Sequence, residues 1–291
     1  MNRVRDYVQL IKPSLTIMVV FSSVVSYLLA PKVVEYNWGM IVLLFAGGML
    51  VTGSANAINQ ALEKETDAMM RRTAKRPVAS GRMSENAAWT FAGITGGAGI
   101  LVLGIFFNWI AAILAALSLF LYGFVYTPLK KINSISVLVG AVPGALPCLI
   151  GWAAGDDRLS IGGWILFAWQ FLWQFPHFFA IAWVAHRDYT AAGFRLLPSE
   201  SGPTQFTALQ TVAYSLLLLP LSLAPFYAGI CDYADTVGKV SLGIIVAANL
   251  FLIARCIRLY RRMDVPSARQ VMFGSYIYLP VVFFSLLAAK A

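Results

Sequence analysis

Apolar stretches close to twenty residues long recur along the whole chain, and they limit its fold more than any other feature. A helix needs about 20 apolar residues to cross the bilayer core. The apolar runs are continuous, whereas barrel strands would alternate apolar and polar residues. Nine such segments can be read, over residues 14–30, 39–58, 86–107, 109–126, 135–154, 161–185, 207–230, 239–257 and 271–289. The sequence therefore predicts an all-α polytopic membrane protein, with nine transmembrane helices and residues 1–291 as a single transmembrane domain.

The low charge content supports the same conclusion. Only 12% of the residues are charged and 59% are hydrophobic, whereas a soluble globule carries about a quarter charged residues. If the N-terminus is cytoplasmic, the cytoplasmic segments hold all 22 Lys and Arg residues except Lys32, Arg158, Lys239 and Lys290. Because positive residues are retained on the cytoplasmic side, this distribution predicts a cytoplasmic N-terminus. The net charge of +9 is then explained by the membrane topology and does not indicate binding to nucleic acid. The expected surroundings of the protein are membrane lipids.

Two clusters of acidic residues interrupt this pattern at cytoplasmic ends of spans. Glu63, Glu65 and Asp67 follow span 2, and Asp188 and Glu200 follow span 6. Loops that are four spans apart emerge on the same side and in the same sense, as in parallel internal repeats. We therefore expect one composite site between two pseudo-repeated four-helix halves, with a ninth helix appended. Its loops would cover about residues 59–85 and 186–204.

The first loop carries oxygen ligands at helical spacing. Asn59, Glu63 and Asp67 are four residues apart and would share one helix face. Two carboxylates and an amide oxygen suit Mg²⁺, which binds hard oxygen ligands together with phosphate oxygens. Basic residues around both loops are candidates for binding a diphosphate: Arg71, Arg72, Arg76, Lys130, Lys131 and Arg187. The alternative is that Glu63 and Asp67 form ordinary surface ion pairs with basic neighbours.

The second loop supplies Asp188 as a partner for these ligands. His177 precedes it by eleven residues, or about 16 Å along a helix, within a span. A histidine inside the membrane indicates function, but a core imidazole bonded to a neighbouring helix explains it equally well. The fifth span is rich in Gly and Pro, with Pro143 and Pro147 expected to bend it.

These residues resemble the UbiA-type intramembrane prenyltransferases, whose first motif is Asn-Asp-x-x-Asp-x-x-x-Asp. Gln60 and Glu63 depart from that motif and argue against the quinone branch. They are similar to the heme-farnesylating branch, as are "LIKPSLT", "GAVPGALPCLIGWAA", "PHFFAIA", "DYTAAG" and "ARQVMFGSYIYL". The same branch carries Met70, Arg72, Thr73, Arg76, Pro77 and Gly81 in this arrangement. Ala192 stands where a second Asp often occurs in the family.

The resemblance implies two diphosphate-binding loops and farnesyl transfer from farnesyl diphosphate to a vinyl group of heme B. Water addition would give heme O. The resemblance also implies that Asn59, Glu63, Asp67 and Asp188 bind Mg²⁺ and act in catalysis. It makes His177 a candidate for contact with the heme. A bacterial plasma (inner) membrane is the expected location, and a heme A synthase or a terminal oxidase is left open as a partner.

Two alternatives remain at this point. One is a related prenyltransferase that acts on a quinone precursor or another acceptor. The other is a secondary transporter, since broken helices with intramembrane Gly and Pro also occur in transporters. Transporters place their ionisable groups near the midplane, whereas nearly all charges here lie at cytoplasmic ends.

Overall fold

The computed structural model describes residues 3–199 and 201–291, and their regular structure is helical apart from one bridge between Cys231 and Lys290. The elements are α1 (Arg3–Ile11), α2 (Pro13–Leu29), α3 (Trp38–Leu62), α4 (Lys64–Met69), α5 (Glu85–Phe106), α6 (Trp109–Phe120), a π-helical stretch (Leu121–Tyr126), α7 (Thr127–Leu129), α8 (Ser136–Asp156), α9 (Ile161–Val184), α10 (His186–Ala191), α11 (Gln205–Leu221), α12 (Ala224–Tyr227), α13 (Thr236–Arg262) and α14 (Val265–Ala288).

The described residues contain eight helical segments that are long and apolar enough to cross a membrane. A ninth results if α1 and α2, which meet at a 44° bend, are counted as one span. The bend lies at Lys12, whose backbone is left-handed with φ of 50°. Pro13 explains the break, because proline disfavours the right-handed helical region for the residue before it. The predicted all-helical, multi-pass architecture is confirmed.

Neighbouring spans pack against one another around a closed ring. Each span contacts the next in sequence, and α14 packs against α2 to close the circle. Further contacts, the most extensive of them between α2 and α8 and between α9 and α14, join spans that are not neighbours in sequence. The division into two repeated four-helix halves stays a prediction.

Helix α8 packs against α2, α6 and α9, and two internal prolines shape it. Because Pro147 has no N–H, the carbonyl of Pro143 loses its usual helical partner. The Ser118 hydroxyl donates to that carbonyl at 3.2 Å. From α9, the side-chain amide of Gln170 donates to the carbonyl of Gly144 at 2.9 Å. Side chains of neighbouring helices thus satisfy the bent backbone, as a membrane interior requires.

A buried polar network joins four helices of the C-terminal part. The Trp169 indole donates to the Tyr278 hydroxyl at 2.9 Å, and that hydroxyl donates to Asn249 Oδ1 at 2.7 Å. Asn249 Nδ2 in turn donates to Ser222 Oγ at 2.5 Å. Each polar group has a partner, so the network joins α9, α14, α13 and α11 without leaving an unpaired group in the membrane.

Candidate active site

Asn59, Glu63 and Asp67, the predicted oxygen-ligand strip, lie along one segment of the chain, which bends in the middle, and their role as metal ligands stays a prediction. Helix α3 ends at Leu62 and α4 starts at Lys64, so Glu63 is the junction. The backbone N–H of Glu63 bonds to the carbonyl of Asn59 at 3.0 Å, and that of Asp67 to the carbonyl of Glu63 at 2.7 Å. These helical bonds keep the three residues in register across the bend. All three are buried, with Asp67 at 0% exposure.

Each member of the strip is held by a different cation. Lys12 Nζ donates to Asn59 Oδ1 at 3.1 Å, and the Lys130 ammonium forms an ion pair with Glu63. Arg76 Nη1 contacts both oxygens of Asp67 at 2.7 Å. The alternative was that Glu63 and Asp67 form surface ion pairs with Lys64, Arg71 or Arg72. The structure pairs them with Lys130 and Arg76 instead.

The cluster contains one more basic than acidic side chain. Lys12 is close to Arg76, Lys130, Asp67 and Glu63 together, and its burial beside the other two basic groups lowers its pKa to about 7. Three basic side chains thus surround two carboxylates in a largely buried space. Since buried charge is costly unless compensated, this arrangement favours a further anion, and a divalent metal would favour a highly charged one.

A π-helical stretch brings two tyrosines to the cluster. Tyr122 and Tyr126 lie with ring centroids 5.3 Å apart, and π-helical turns of this kind are frequent at functional sites. The Lys130 ammonium lies 5.1 Å from the ring centroid of Tyr126 and 5.1 Å from that of Phe194. Thr127, directly after the π-helical stretch, accepts a hydrogen bond from Asn59 Nδ2 at 3.4 Å. Lys130 is therefore fixed by two aromatic faces as well as by Glu63.

The two loops predicted to form one site meet over this cluster. Met70 of the first packs with Ala192 and Phe194 of the second. Arg72 donates to the Tyr189 hydroxyl at 3.2 Å and also lies over its ring. The Arg195 backbone N–H bonds to the carbonyl of Lys130 at 2.8 Å. The two loops thus lie in direct contact with each other, and their function as one site stays a prediction.

Asp188 lies at this end of the bundle, on α10 and next to Tyr189, and it is half-buried. Within residues 3–199 and 201–291, no three Asp, Glu, His or Cys side chains converge on one metal position. The structure thus does not bring Asp188 together with Glu63 and Asp67, and its role as a ligand stays a prediction. Glu200 lies outside the described residues.

The predicted diphosphate-binding cations divide into three groups. Arg76 and Lys130 lie inside the cluster, and Arg72 joins the two loops. The remaining three, Arg71, Lys131 and Arg187, are exposed. Their assignment stays a prediction that no contact in the described structure supports.

An apolar cavity of about 90 Å³ lies within the bundle, between α2, α3, α5, α6 and α8. Tyr122 lines it and is also in electrostatic contact with Lys130, Glu63 and Arg76. Along α3 its lining runs from Asn56 to Leu44, or about 18 Å at 1.5 Å per residue. The cavity thus begins about one helical turn from the polar cluster, at Asn56 and Tyr122.

His177 lies deeper on α9 and is buried. Its Nδ1 is 2.8 Å from Ser275 Oγ, and its ring stacks on Trp173 at 4.8 Å between centroids. Ser275 donates its own proton to the carbonyl of Met272 at 2.6 Å. Ser275 must then accept from His177, which assigns the imidazole proton to Nδ1 and leaves the Nε2 lone pair free. The interhelical bond expected of a core histidine is present, yet one ring nitrogen stays available to a ligand.

Sequence reasoning missed Lys12, Tyr126 and Phe194. In the sequence analysis, Lys12 served only as evidence for the membrane topology. Its position directly before Pro13, where the helix breaks, could have marked it as a candidate site residue. Tyr126 precedes Lys130 by four residues, a helical spacing that places both side chains on one face. No local pattern marks Phe194, which reaches the cluster through the folding of its loop.

The fold is that of a polytopic membrane protein, and its buried cluster has the charges that would suit an anion. Residues 19–286 match the sequence model of the UbiA prenyltransferase family, and the chain belongs to that family. It is 40% identical to a protoheme IX farnesyltransferase of Cytophaga hutchinsonii, over 97% of this chain and 96% of that protein.

Solved structures share the fold. One from work on a digeranylgeranylglyceryl phosphate synthase in membranes has a TM-score of 0.80 at 19% identity, covering 99% of both chains. A UbiA homologue of Archaeoglobus fulgidus bound to GPP and Mg²⁺ has a TM-score of 0.72 at 16% identity, covering 97% of this chain and 99% of that one.

Proposed function

We propose that this protein transfers the farnesyl group of farnesyl diphosphate to a vinyl group of heme B, with addition of water, to give heme O and diphosphate. The observation that carries the proposal is the buried cluster of two carboxylates and three basic side chains, about one helical turn from an apolar cavity. The farnesyltransferase named above, 40% identical over nearly the full chain, supports heme as the acceptor.

The diphosphate would bind at the cluster and the farnesyl chain would enter the cavity. Lys12, Arg76 and Lys130 are positioned to neutralise the diphosphate, and Arg72 lies above them between the loops. Fixed cations of this kind stabilise the charge that develops as the leaving group departs. The walls of the cavity keep water from the allylic cation, which would otherwise be hydrolysed before transfer.

Mg²⁺ fits the donor set of the strip, which consists only of amide and carboxylate oxygens. Asn59, Glu63 and Asp67 would hold it, with Asp188 as the ligand from the second loop. Held by these residues, the ion would supply positive charge that offsets the negative charge of the diphosphate. The binding of Mg²⁺ and GPP by the Archaeoglobus homologue supports metal use in this fold. Until a metal binds, Lys130 and Arg76 compensate the two buried carboxylates.

The heme would lie against α9 and α14, beside His177. Tyr276, whose ring contacts that of His177 at 5.0 Å, is in electrostatic contact with Arg72 and Tyr189. Tyr276 thus links His177 to Arg72 and Tyr189, which join the two loops. With its proton on Nδ1, His177 offers the Nε2 lone pair to the heme iron, and Ser275 fixes the ring as a metal-bound histidine requires.

The site would face the cytoplasm of a bacterium from its inner membrane, with the N-terminus on the same side. Single-cysteine labelling tests this sidedness, because the native Cys148, Cys231 and Cys256 are buried. Ser80→Cys, in the first loop, should react with an impermeant maleimide only in inside-out vesicles. Glu35→Cys, between α2 and α3, should react only in right-side-out vesicles. The reverse pattern would invert the topology.

A product assay tests the function directly. Purified protein is incubated with heme B, farnesyl diphosphate and Mg²⁺, with and without a chelator, and the porphyrin is followed by mass spectrometry. We expect a metal-dependent product heavier by one farnesyl group plus water. An unmodified porphyrin from folded protein would refute heme as acceptor, and assays with quinone precursors would then decide whether another acceptor is used.

A further inference from the structure

Two amide side chains of α3 face the bend between α1 and α2. The side-chain nitrogen of Gln60 donates to the carbonyl of Leu10 at 2.9 Å and to that of Gln9 at 3.4 Å. One turn earlier, Asn56 Nδ2 donates to the carbonyl of Ile11 at 3.1 Å. Gln60 is fully buried and Asn56 is nearly so. The last three carbonyls of α1 therefore take donors from another helix.

These carbonyls need such donors because of the residues that follow them. The final carbonyls of a helix have no partner within it, and Pro13 has no N–H to offer to Gln9. Lys12 adopts a left-handed conformation at this point, with φ of 50°, which turns the chain out of α1. The Thr16 hydroxyl adds a further donor to the carbonyl of Ile11, at 2.6 Å. The bend at Lys12 is thus fixed by side-chain donors from α2 and α3.

The α1–α2 bend brings Lys12 into the charged cluster. Its Nζ donates to Asn59 Oδ1 at 3.1 Å, and Asn59 directly precedes Gln60 on α3. Because consecutive helix residues point about 100° apart, the two amides and the oxygen-ligand strip occupy neighbouring faces of α3. The face with Asn56 and Gln60 holds the bend, and the face with Asn59 receives Lys12. One helix thus sets both where the chain bends and where the ammonium of Lys12 arrives.

We propose that Gln60 is a positioning residue, which fixes the α1–α2 bend so that Lys12 meets the diphosphate; this role rests on the proposed function. Removal of the amide would leave two carbonyls at the end of α1 without donors, which is costly inside a membrane protein. The chain can regain donors for them only by changing the bend. Lys12 lies at the centre of that bend, so its ammonium would shift away from Asn59. Gln60 thus acts on the substrate through Lys12.

This role explains why the position holds an amide. The first motif of UbiA-type enzymes has Asp where this chain has Gln60. A carboxylate offers no N–H, and its oxygens would repel the two carbonyls of α1. The amide supplies the donors, although its own Oε1 is buried without a partner among residues 3–199 and 201–291. An apolar side chain would fill the space without leaving such an oxygen unpaired, so packing alone does not account for glutamine here.

Binding of farnesyl S-thiolodiphosphate, whose C1–S bond breaks slowly, tests this role independently of the acceptor. The Kd is measured by titration calorimetry in the presence of Mg²⁺. Methionine fills nearly the same space as glutamine without N–H donors, so in Gln60→Met we expect the Kd to rise about 10-fold. Asn249→Leu is the matched control, since it removes a buried amide from α13, which packs against α11 and α14. It should lower the Tm by a similar amount and leave the Kd unchanged.

A double variant separates positioning from general damage to the fold. Lys12→Met already removes the group that Gln60 is proposed to position. Adding Gln60→Met to Lys12→Met should therefore raise the Kd by less than about 2-fold further, because the two changes affect one interaction. If the two effects multiply instead, Gln60 does not act through Lys12 and the role is overturned. A wild-type Kd in folded Gln60→Met overturns it as well.

Thr16→Val decides the matter if Gln60→Met does not fold. Valine has nearly the shape of threonine, and the change removes the hydroxyl donor to the carbonyl of Ile11. We expect the Kd to rise about 3-fold, again with no further rise in the Lys12→Met background. An unchanged Kd in Thr16→Val would show that the bend does not position Lys12. Wild-type protein that fails to bind the analogue would refute the proposed function instead, a result distinct from normal binding by the variants.

Discussion

Arg76 donates from a single nitrogen, Nη1, to both carboxylate oxygens of Asp67, at 2.7 Å each. The carboxylate is buried, while 21% of the arginine side chain is exposed. Thr73, three residues before Arg76, donates to the Asp67 carbonyl at 2.8 Å and fixes the turn between them. Arg76 thus compensates the buried charge of Asp67.

Replacing Asp67 with Asn tests this arrangement. The change removes the charge but keeps the shape, so we expect transferase activity to fall by about 100-fold or more. Glu65→Gln is the matched control, since Glu65 is exposed on the same short helix; it should retain nearly full activity. Initial rates and size-exclusion profiles of both variants are the measurement. Normal turnover by folded Asp67→Asn would contradict the metal assignment.

Lys12 is expected to bind the diphosphate, although it lies outside the sequence motifs that predicted the site. In Lys12→Met we expect the KM for farnesyl diphosphate to rise about 10- to 100-fold, because a hydrogen bond to a charged group contributes roughly 1.5–3 kcal/mol. Lys64→Met, at an exposed position beside the strip, should leave the KM unchanged. If both variants bind the substrate equally well, Lys12 serves only to hold Asn59.

Asp188 is predicted to act through Mg²⁺ only. Chelation should abolish turnover and added Mg²⁺ should restore it. In Asp188→Asn the Mg²⁺ concentration for half-maximal rate should rise about 10-fold, with nearly normal turnover at saturation. Asp157→Asn, at the opposite end of the bundle, is the control. An unchanged Mg²⁺ dependence in Asp188→Asn would remove this residue from the ligand set.

The helices and the first ligand strip could be predicted because both depend on local spacing. Span length follows from the thickness of the bilayer, and residues four apart share a helix face whatever surrounds them. The relative positions of Asn59, Glu63 and Asp67 therefore follow the predicted helical spacing, even though Glu63 interrupts the helix.

The cations could not be ranked in the same way, because their positions depend on tertiary packing. Arg71, Arg72 and Arg76 share one short loop, yet only Arg76 turns inward. Lys130 meets Glu63 across 67 residues of chain, and Lys12 meets Asn59 across 47. No local pattern encodes such distances.

His177 is predicted to contact heme through Nε2. In His177→Phe the aromatic stacking on Trp173 is kept and the lone pair is lost. We expect heme B affinity to fall at least 10-fold and the absorption of the bound heme to shift, with no change in the KM for farnesyl diphosphate. Heme titration followed by absorption spectroscopy is the measurement. Unchanged affinity and spectrum would leave His177 with a packing role alone.

The close contact of α2 with α8 is predicted to depend on Gly151. A Cβ at this position would lie 1.8 Å from the backbone oxygen of Ser23, so the two helices would have to separate. Backbone contact cannot be relieved by a side-chain rotation, and overpacking of this kind costs about 1–3 kcal/mol or more. In Gly151→Ala we therefore expect a lowered Tm in detergent and less folded protein in the membrane. Gly243→Ala, on α13, is the matched control, because nothing lies within 4 Å of its added methyl group. Equal Tm values for the two variants would show that the helices adjust without cost, and that α8 is not fixed against α2 as the structure has it.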